Sequence, residues 1–277
     1  MQHNGHILKG RDWGGFLEVR TNAAESYLAH APRERRWARR HGHSQDIFEH
    51  TDTGSNASTG CFSVFLSSST DPFVPQESRF RVTESVLTAM LSEPPDVLIL
   101  QTHSHLVERY VDLLQDLSRQ TELRVHISIE TDRESVPGLP PHASPVQRRL
   151  DACRTLKKAG LRTVVTVSPL LPIAQPQAFF GGIAEVADAV VIDHFILGDG
   201  SDTGQRTWRT QLPEAMRAVD PESVTLAYRD HIIAIACGIM PGHVGVSNDG
   251  FAGRMLQAQG EQLTTDNQRV THPSVEP

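Results

Sequence analysis

The chain has 277 residues, 38% of them hydrophobic and 21% charged, with a net charge of -7, enough for one large globular domain with a substantial core. No run of eighteen apolar residues occurs and the N-terminus has no charged start followed by an apolar stretch, so neither a membrane span nor a secretory signal is expected. The acidic balance gives no general nucleic-acid footprint, and three scattered cysteines, Cys61, Cys153 and Cys237, read as thiols of a reducing, cytoplasmic setting rather than a disulfide framework or a locally spaced metal site.

In chain order, residues 22–41 form an alanine-rich, then strongly basic helical stretch with Arg33, Arg35, Arg36, Arg39 and Arg40. A Gly/Ser/Thr/Asn-rich linker covers 51–60. Short β-branched runs then occupy 61–66, 97–100, 123–129, 162–167 and 189–195. Segments of helical period lie between them at 77–91, 105–119, 145–159 and 176–186. Ser144-Pro145 reads as an N-cap with proline at N1, and Lys157-Lys158-Ala159-Gly160 as a helix end with cations and a C-cap glycine.

This alternation implies an α/β fold with a parallel sheet, right-handed crossovers and a ligand site at the C-terminal ends of the strands. No GxGxxG or GxxxxGK[ST] turn follows the first run, which favours a barrel over a nucleotide-binding open sheet. Three regions follow: 1–60, helical and linker; 61–230, the barrel; and 231–277, a C-terminal extension with a frayed polar tail.

The run Ser68-Ser69-Thr70-Asp71-Pro72-Phe73-Val74-Pro75-Gln76-Glu77 resembles the Thr-Asp-Pro-Tyr-x-Pro-x-Glu motif of the radical S-adenosylmethionine proteins related to spore photoproduct lyase. Further motifs resemble that family in the same order. They are Thr102-His103-Ser104, Ser128-Ile129-Glu130-Thr131, Ala143-Ser144-Pro145 with Arg148-Arg149-Leu150, Lys158-Ala159-Gly160-Leu161, and Ser168-Pro169-Leu170-Leu171-Pro172. Upstream, Trp13-Gly14 and Val19-Arg20-Thr21-Asn22-Ala23 are similar to the segment that follows the family's cluster loop. The resemblance spans about 13–200.

What the resemblance implies is a partial (βα)6 TIM-like barrel holding a four-iron four-sulfur cluster and S-adenosylmethionine. One electron from the cluster cleaves the sulfonium of that cofactor to a 5'-deoxyadenosyl radical. The family holds the cluster with Cys-x3-Cys-x2-Cys just after the first strand. No such spacing occurs in the chain, and the motif register puts both the loop and the first strand before Met1. The expectation is therefore an enzyme core, shortened or mis-started at its N-terminus or having lost the cluster, and inactive by itself.

Carried over position by position, the cofactor-binding candidates are Thr70, Asp71, His103, Ser128, Glu130, Ser168, Asp193 and His194. Thr70 and Asp71 stand where the family meets the methionine amino group, or else cap a helix with Pro72 at N1. Ser128 and Glu130 stand where it meets the ribose or carboxylate. His103 replaces the family's lysine and puts a group titrating near neutrality in its place. Ser68-Ser69 replaces the hydrogen-donating cysteine of spore photoproduct lyase itself, so thymine-dimer repair is not expected and the substrate is open.

Two other function classes remain. A barrel hydrolase could bind a divalent metal through His103 and His105, with His126 and Asp193 from other strands. A non-catalytic barrel remnant could bind a nucleotide or a partner, with the arginines of 33–40 as the contact, nucleic acid included.

Overall fold

β-branched runs become six parallel strands because buried β-branched side chains pack well on a pleated surface. The computed structural model describes residues 10, 18–41, 60–66 and 70–257. The strands are β1 (Ser63–Leu66), β2 (Val97–Thr102), β3 (Glu122–Ser128), β4 (Thr163–Val167), β5 (Ala189–Ile192) and β6 (Val244–Val246). Every neighbouring pair is parallel, and the order in the sheet is the order in the chain. An order without reversal is that of a barrel wall; a doubly wound sheet reverses at a switch point. Five strands match the runs seen in the sequence. β6 lies within the stretch read as a C-terminal extension.

The crossovers are helical: α1 (Ala23–His41) precedes the sheet, α2 (Glu77–Phe80) and α3 (Val82–Ser92) follow β1, and α4 (Val111–Ser118) follows β2 after a 3-10 turn at His105–Tyr110. Then come α5 (Val146–Lys158), α6 (Pro176–Val186), the short α7 (Phe195–Gly198), α8 (Leu212–Val219), α9 (Leu226–Ile239) and α10 (Ser247–Phe251). Alternate strand residues, among them Leu98, Leu100, Val125, Ile127, Val165 and Val190, join the main core with helix residues such as Leu87, Leu114, Leu156 and Phe180.

Three expectations needed correction. The helix read at 77–91 is broken at Arg81, which has φ 48, and the buried Glu77 carboxylate accepts from the Val82 and Glu84 amides to cap α3. The helix read at 105–119 begins with the 3-10 turn, whose cap is Ser104. Ser144 is not the N-cap of α5. That position falls to Pro145, while Ser144 Oγ accepts from the His105 amide at 3.2 Å and meets His105 Nδ1 at 2.8 Å. The end of α5 is as read: Gly160 at φ 78 lets the Leu161 amide reach back to Leu156 O at 3.1 Å.

The other face of the sheet is lined by Arg124, His126, Val164, Ala189 and Val191, and the segment after β6 folds against it. Phe251 and Met255 pack on Val164, Ala189 and Val191, His126 stacks on Phe251, and Arg124 Nη1 donates to Ala252 O at 3.0 Å. This segment covers that face over β3, β4 and β5 and leaves the C-terminal ends of the strands as the place for a ligand. Gly245 and Gly250 make the approach feasible, since a Cβ on Gly245 would stand 2.5 Å from Gly250 Cα.

Candidate functional site at the strand ends

Strands β2 to β6 each deliver a polar residue one or two positions past their end, and Asp71 stands five positions after Leu66 of β1, because parallel strands all finish at one end of the sheet. Past β1, Asp71 Oδ1 accepts from the Phe73 amide at 2.8 Å and from Thr102 Oγ1 at 2.7 Å, and Oδ2 accepts from the His103 amide at 2.7 Å. It therefore both caps its own turn and ties the end of β1 to the end of β2. Past β2, His103 Nδ1 lies 3.5 Å from Asp71 Oδ2 and Nε2 lies 3.1 Å from Glu130 Oε1. Past β3, Glu130 Oε2 receives Arg149 Nη1 at 2.9 Å, and the same Nη1 donates to Ser128 O at 2.5 Å.

Four charges thus alternate across three strand ends and α5, and their energetics follow from the geometry. Burial pushes the His103 imidazole down, but the carboxylates of Asp71 and Glu130 overcome it and raise its pKa to about 9. Burial pushes Glu130 up, and contact with His103 together with the Arg149 charge brings it to about 2. Burial likewise pushes Asp71 up, and its hydrogen bonds from His103, Thr102 and Phe73 hold it below the usual carboxylate range. Near neutral pH the group is two cations and two anions. Arg149 is 1% exposed and structural, whereas the His103 side chain is 43% exposed and reachable. A cavity of about 380 Å³ opens beside it, lined by His103, Glu130, Arg149, Leu139, Leu171 and Leu212; that volume is within the range of small-molecule sites.

A second cluster forms past β4, β5 and β6. Asp193 Oδ2 accepts from Ser168 Oγ at 3.2 Å, and Oδ1 from Ser247 Oγ at 2.8 Å. Burial raises the Asp193 pKa against those two hydroxyl bonds and the charge of Arg229. The Leu170 amide donates to Asp193 O at 2.7 Å and the Leu171 amide to Glu130 O at 3.1 Å, so the loop after β4 links the two clusters. Beneath them Ser128 Oγ accepts from Gln101 Nε2 at 3.0 Å and meets Thr166 Oγ1 at 2.9 Å.

Of the eight candidates, Asp71, His103 and Glu130 come together, Ser168 and Asp193 form the second cluster, and Ser128 is buried in the ladder below. Thr70 is exposed and, with Asp71, lines a separate cavity of about 270 Å³. His194 turns away: its Nδ1 accepts from the Ile196 amide at 3.1 Å and its Nε2 faces Ser223 O at 3.0 Å, so one ring nitrogen caps its own turn and the other ties it to the 3-10 turn at Pro221–Val224. Arg149 and Ser247 were missed as site residues: Arg149 stands in the motif Arg148-Arg149-Leu150, which was read as a helix entry with no site role, and nothing in the local pattern marks a serine after a three-residue strand. Ser68, Ser69, Trp13 and Gly14 lie outside the described residues.

The metal set His103, His105, His126 and Asp193 is not assembled. His103 is held by two carboxylates and His105 by Ser144, while His126 is buried against Phe251, its pKa pushed down to about 3 chiefly by burial. Among the described residues no group of three or more His, Cys, Asp or Glu could hold a metal ion. The chain's cysteines do not fit an iron-sulfur cluster either. Cys61 precedes β1, Cys153 is buried in α5 with its thiol pushed up to about 12 by burial, and Cys237 sits in α9 with its pKa also raised by burial. A cluster needs thiolates on one short loop. No helix among the described residues is long and apolar enough to cross a membrane.

No family model matches the chain. One curated relative, "Uncharacterized protein ORF301" of Acidianus two-tailed virus, is 33% identical over 112 residues, which are 39% of this chain and only 35% of that protein. Among solved structures, a doubly substituted spore photoproduct lyase with bound AdoMet and dinucleoside spore photoproduct matches with a TM-score of 0.54 at 12% identity, covering 88% of this chain and 71% of that one. A spore photoproduct lyase complexed with dinucleoside spore photoproduct matches equally well, with the same TM-score, identity and coverage. At this identity the likeness is one of fold: the chain has an α/β, all-parallel, barrel-like architecture similar to that of spore photoproduct lyase.

Proposed function

We propose that the mouth of this barrel binds S-adenosylmethionine. The observation that carries the reading is His103, a half-exposed imidazolium clamped between Asp71 and Glu130 at three successive strand ends. These are the positions at which the family motifs put cofactor contacts. The imidazolium offers a cation to the methionine carboxylate, and Asp71, 3.5 Å from its Nδ1, offers an anion to the amino end. Asp193, which among the described residues accepts from the hydroxyls of Ser168 and Ser247, offers an acceptor to the ribose or to a positive group of the ligand. Binding of AdoMet by the similarly folded lyase supports the same reading.

The reading is of binding. The three thiols of this chain supply no cluster, so no radical step is assigned to these residues. Equilibrium dialysis with S-adenosylmethionine, methionine and adenosine tests it. Saturable retention of the whole cofactor, competed by both fragments at higher concentration, is expected; no retention at millimolar cofactor would remove the reading.

A further inference from the structure

α1 has two unlike faces. On one, Ala31 and Ala38 are buried with Phe62, and Arg35 is drawn in with them. Its Nη1 meets Glu93 Oε2 at 2.8 Å, its Nη2 donates to Pro94 O at 2.6 Å, and its guanidinium lies over the Phe62 ring. Tyr27 Oη donates to Glu93 O at 2.5 Å on the same side. This face docks α1 on the C-terminal end of α3, where a cation is favoured by the helix dipole.

On the other face Arg33, Arg36, Trp37, Arg40 and His41 recur at the three- and four-residue spacings that put side chains on one stripe, and all five are exposed. Arg39 stands exposed beside them. Trp37 is 60% exposed and stacks on His41, with ring centroids 5.2 Å apart. Among the described residues Arg36, Arg39 and Arg40 have no acidic partner, and Arg33 has only a loose one, Glu34 at 4.0 Å. A solvated helix face needs neither four arginines with so few carboxylates nor an indole left in water, the more so on a chain of net charge -7.

We propose that this stripe is a contact for single-stranded nucleic acid, with Arg33, Arg36, Arg39 and Arg40 on successive phosphates and the Trp37 ring stacked on an unpaired base. Cations that track a backbone, interleaved with an aromatic ring that accepts any base, are the chemistry of sequence-tolerant strand binding. A duplex offers the phosphates but no free base face, and an acidic protein offers neither the spacing nor the face. The stripe lies on α1, outside the strand-end clusters, so the proposal does not depend on what the barrel mouth binds.

Fluorescence anisotropy with a labelled deoxythymidine oligonucleotide, read over a range of NaCl, tests it. Binding is expected to weaken with salt at a log-log slope of about -3, corresponding to the four neutralised phosphates. Arg36→Glu with Arg40→Glu is expected to lower affinity at least tenfold, and Trp37→Ala by roughly five- to a hundredfold, with Trp37→Phe between. Circular dichroism checks that each variant keeps its helix, since none of these side chains touches the buried face. Salt-independent binding, equal affinity for duplex, or equal affinity for heparin with no loss in Trp37→Ala would each overturn the proposal.

Discussion

At His103 one imidazole serves two carboxylates, and that sets a direction for its pH response. Its folded pKa of about 9 exceeds the ordinary 6.5, so the stabilisation it brings is full below about pH 6.5 and is lost as pH rises through about 9. Glu130 runs the other way: held to about 2 from 4.5, it contributes fully above about pH 4.5 and loses that contribution as pH falls through about 2. Scanning calorimetry of His103→Lys, whose amine stays charged over this range, is expected to show a flatter alkaline limb between pH 6.5 and 9 than the parent. The same slope in both would refute the assignment. At Arg149 the expected effect is larger. Arg149→Ala leaves Glu130 buried without its fixed cation and is expected to cost about 3–5 kcal/mol in denaturant unfolding. Arg149→Met with Glu130→Gln is expected to cost less than the two single changes summed. Additive costs would mean that the pair does not act as a unit.

At the element scale β6 and α10 cross backbone to backbone at Gly245 and Gly250. Gly245→Ala would drive a Cβ to 2.5 Å from Gly250 Cα and to 3.1 Å from Met255 Sδ, a clash with backbone that cannot rotate away. It is expected to lower stability by about 1–3 kcal/mol. Gly181→Ala, in α6 with nothing within 4 Å of the new methyl, serves as the control and is expected to gain about 0.5–1 kcal/mol. If both glycines respond alike, the crossing is not tight. This crossing also marks where the sequence stopped being legible. Strands such as Leu-Arg-Val-His-Ile-Ser and Thr-Val-Val-Thr-Val announce themselves because burial needs β-branched runs. Val244-Gly245-Val246 is too short for a period, and its glycine, present for the close approach, removes the remaining signal. The break at Arg81 was hidden for a similar reason. Helical period continues through it, and only the Glu77 side chain, capping from below, shows that a second helix begins. Asp71, His103 and Glu130 were legible through motif order; Arg149 lay in a motif too, but its pairing with Glu130, like the place of Ser247, comes from tertiary contacts.

Across the whole molecule the described residues make one parallel wall, helices on its outer face and the 247–256 segment against its inner face. Its thiols are therefore placed by packing. Cys153, fully buried in α5 with its pKa near 12, is expected to react with a thiol reagent only at the rate of unfolding. Reaction in the native state at the rate of an exposed thiol would contradict that packing. Packing also leaves the strand ends open, with His103 and Asp193 among the described groups that a ligand can meet there. The most direct measurement of the central claim is a calorimetric titration of S-adenosylmethionine into the intact chain, His103→Gln and Asp193→Asn. Saturable binding by the parent and at least tenfold weaker binding by both variants is the expected result. No heat at millimolar cofactor, or equal affinity in all three proteins, would contradict the account.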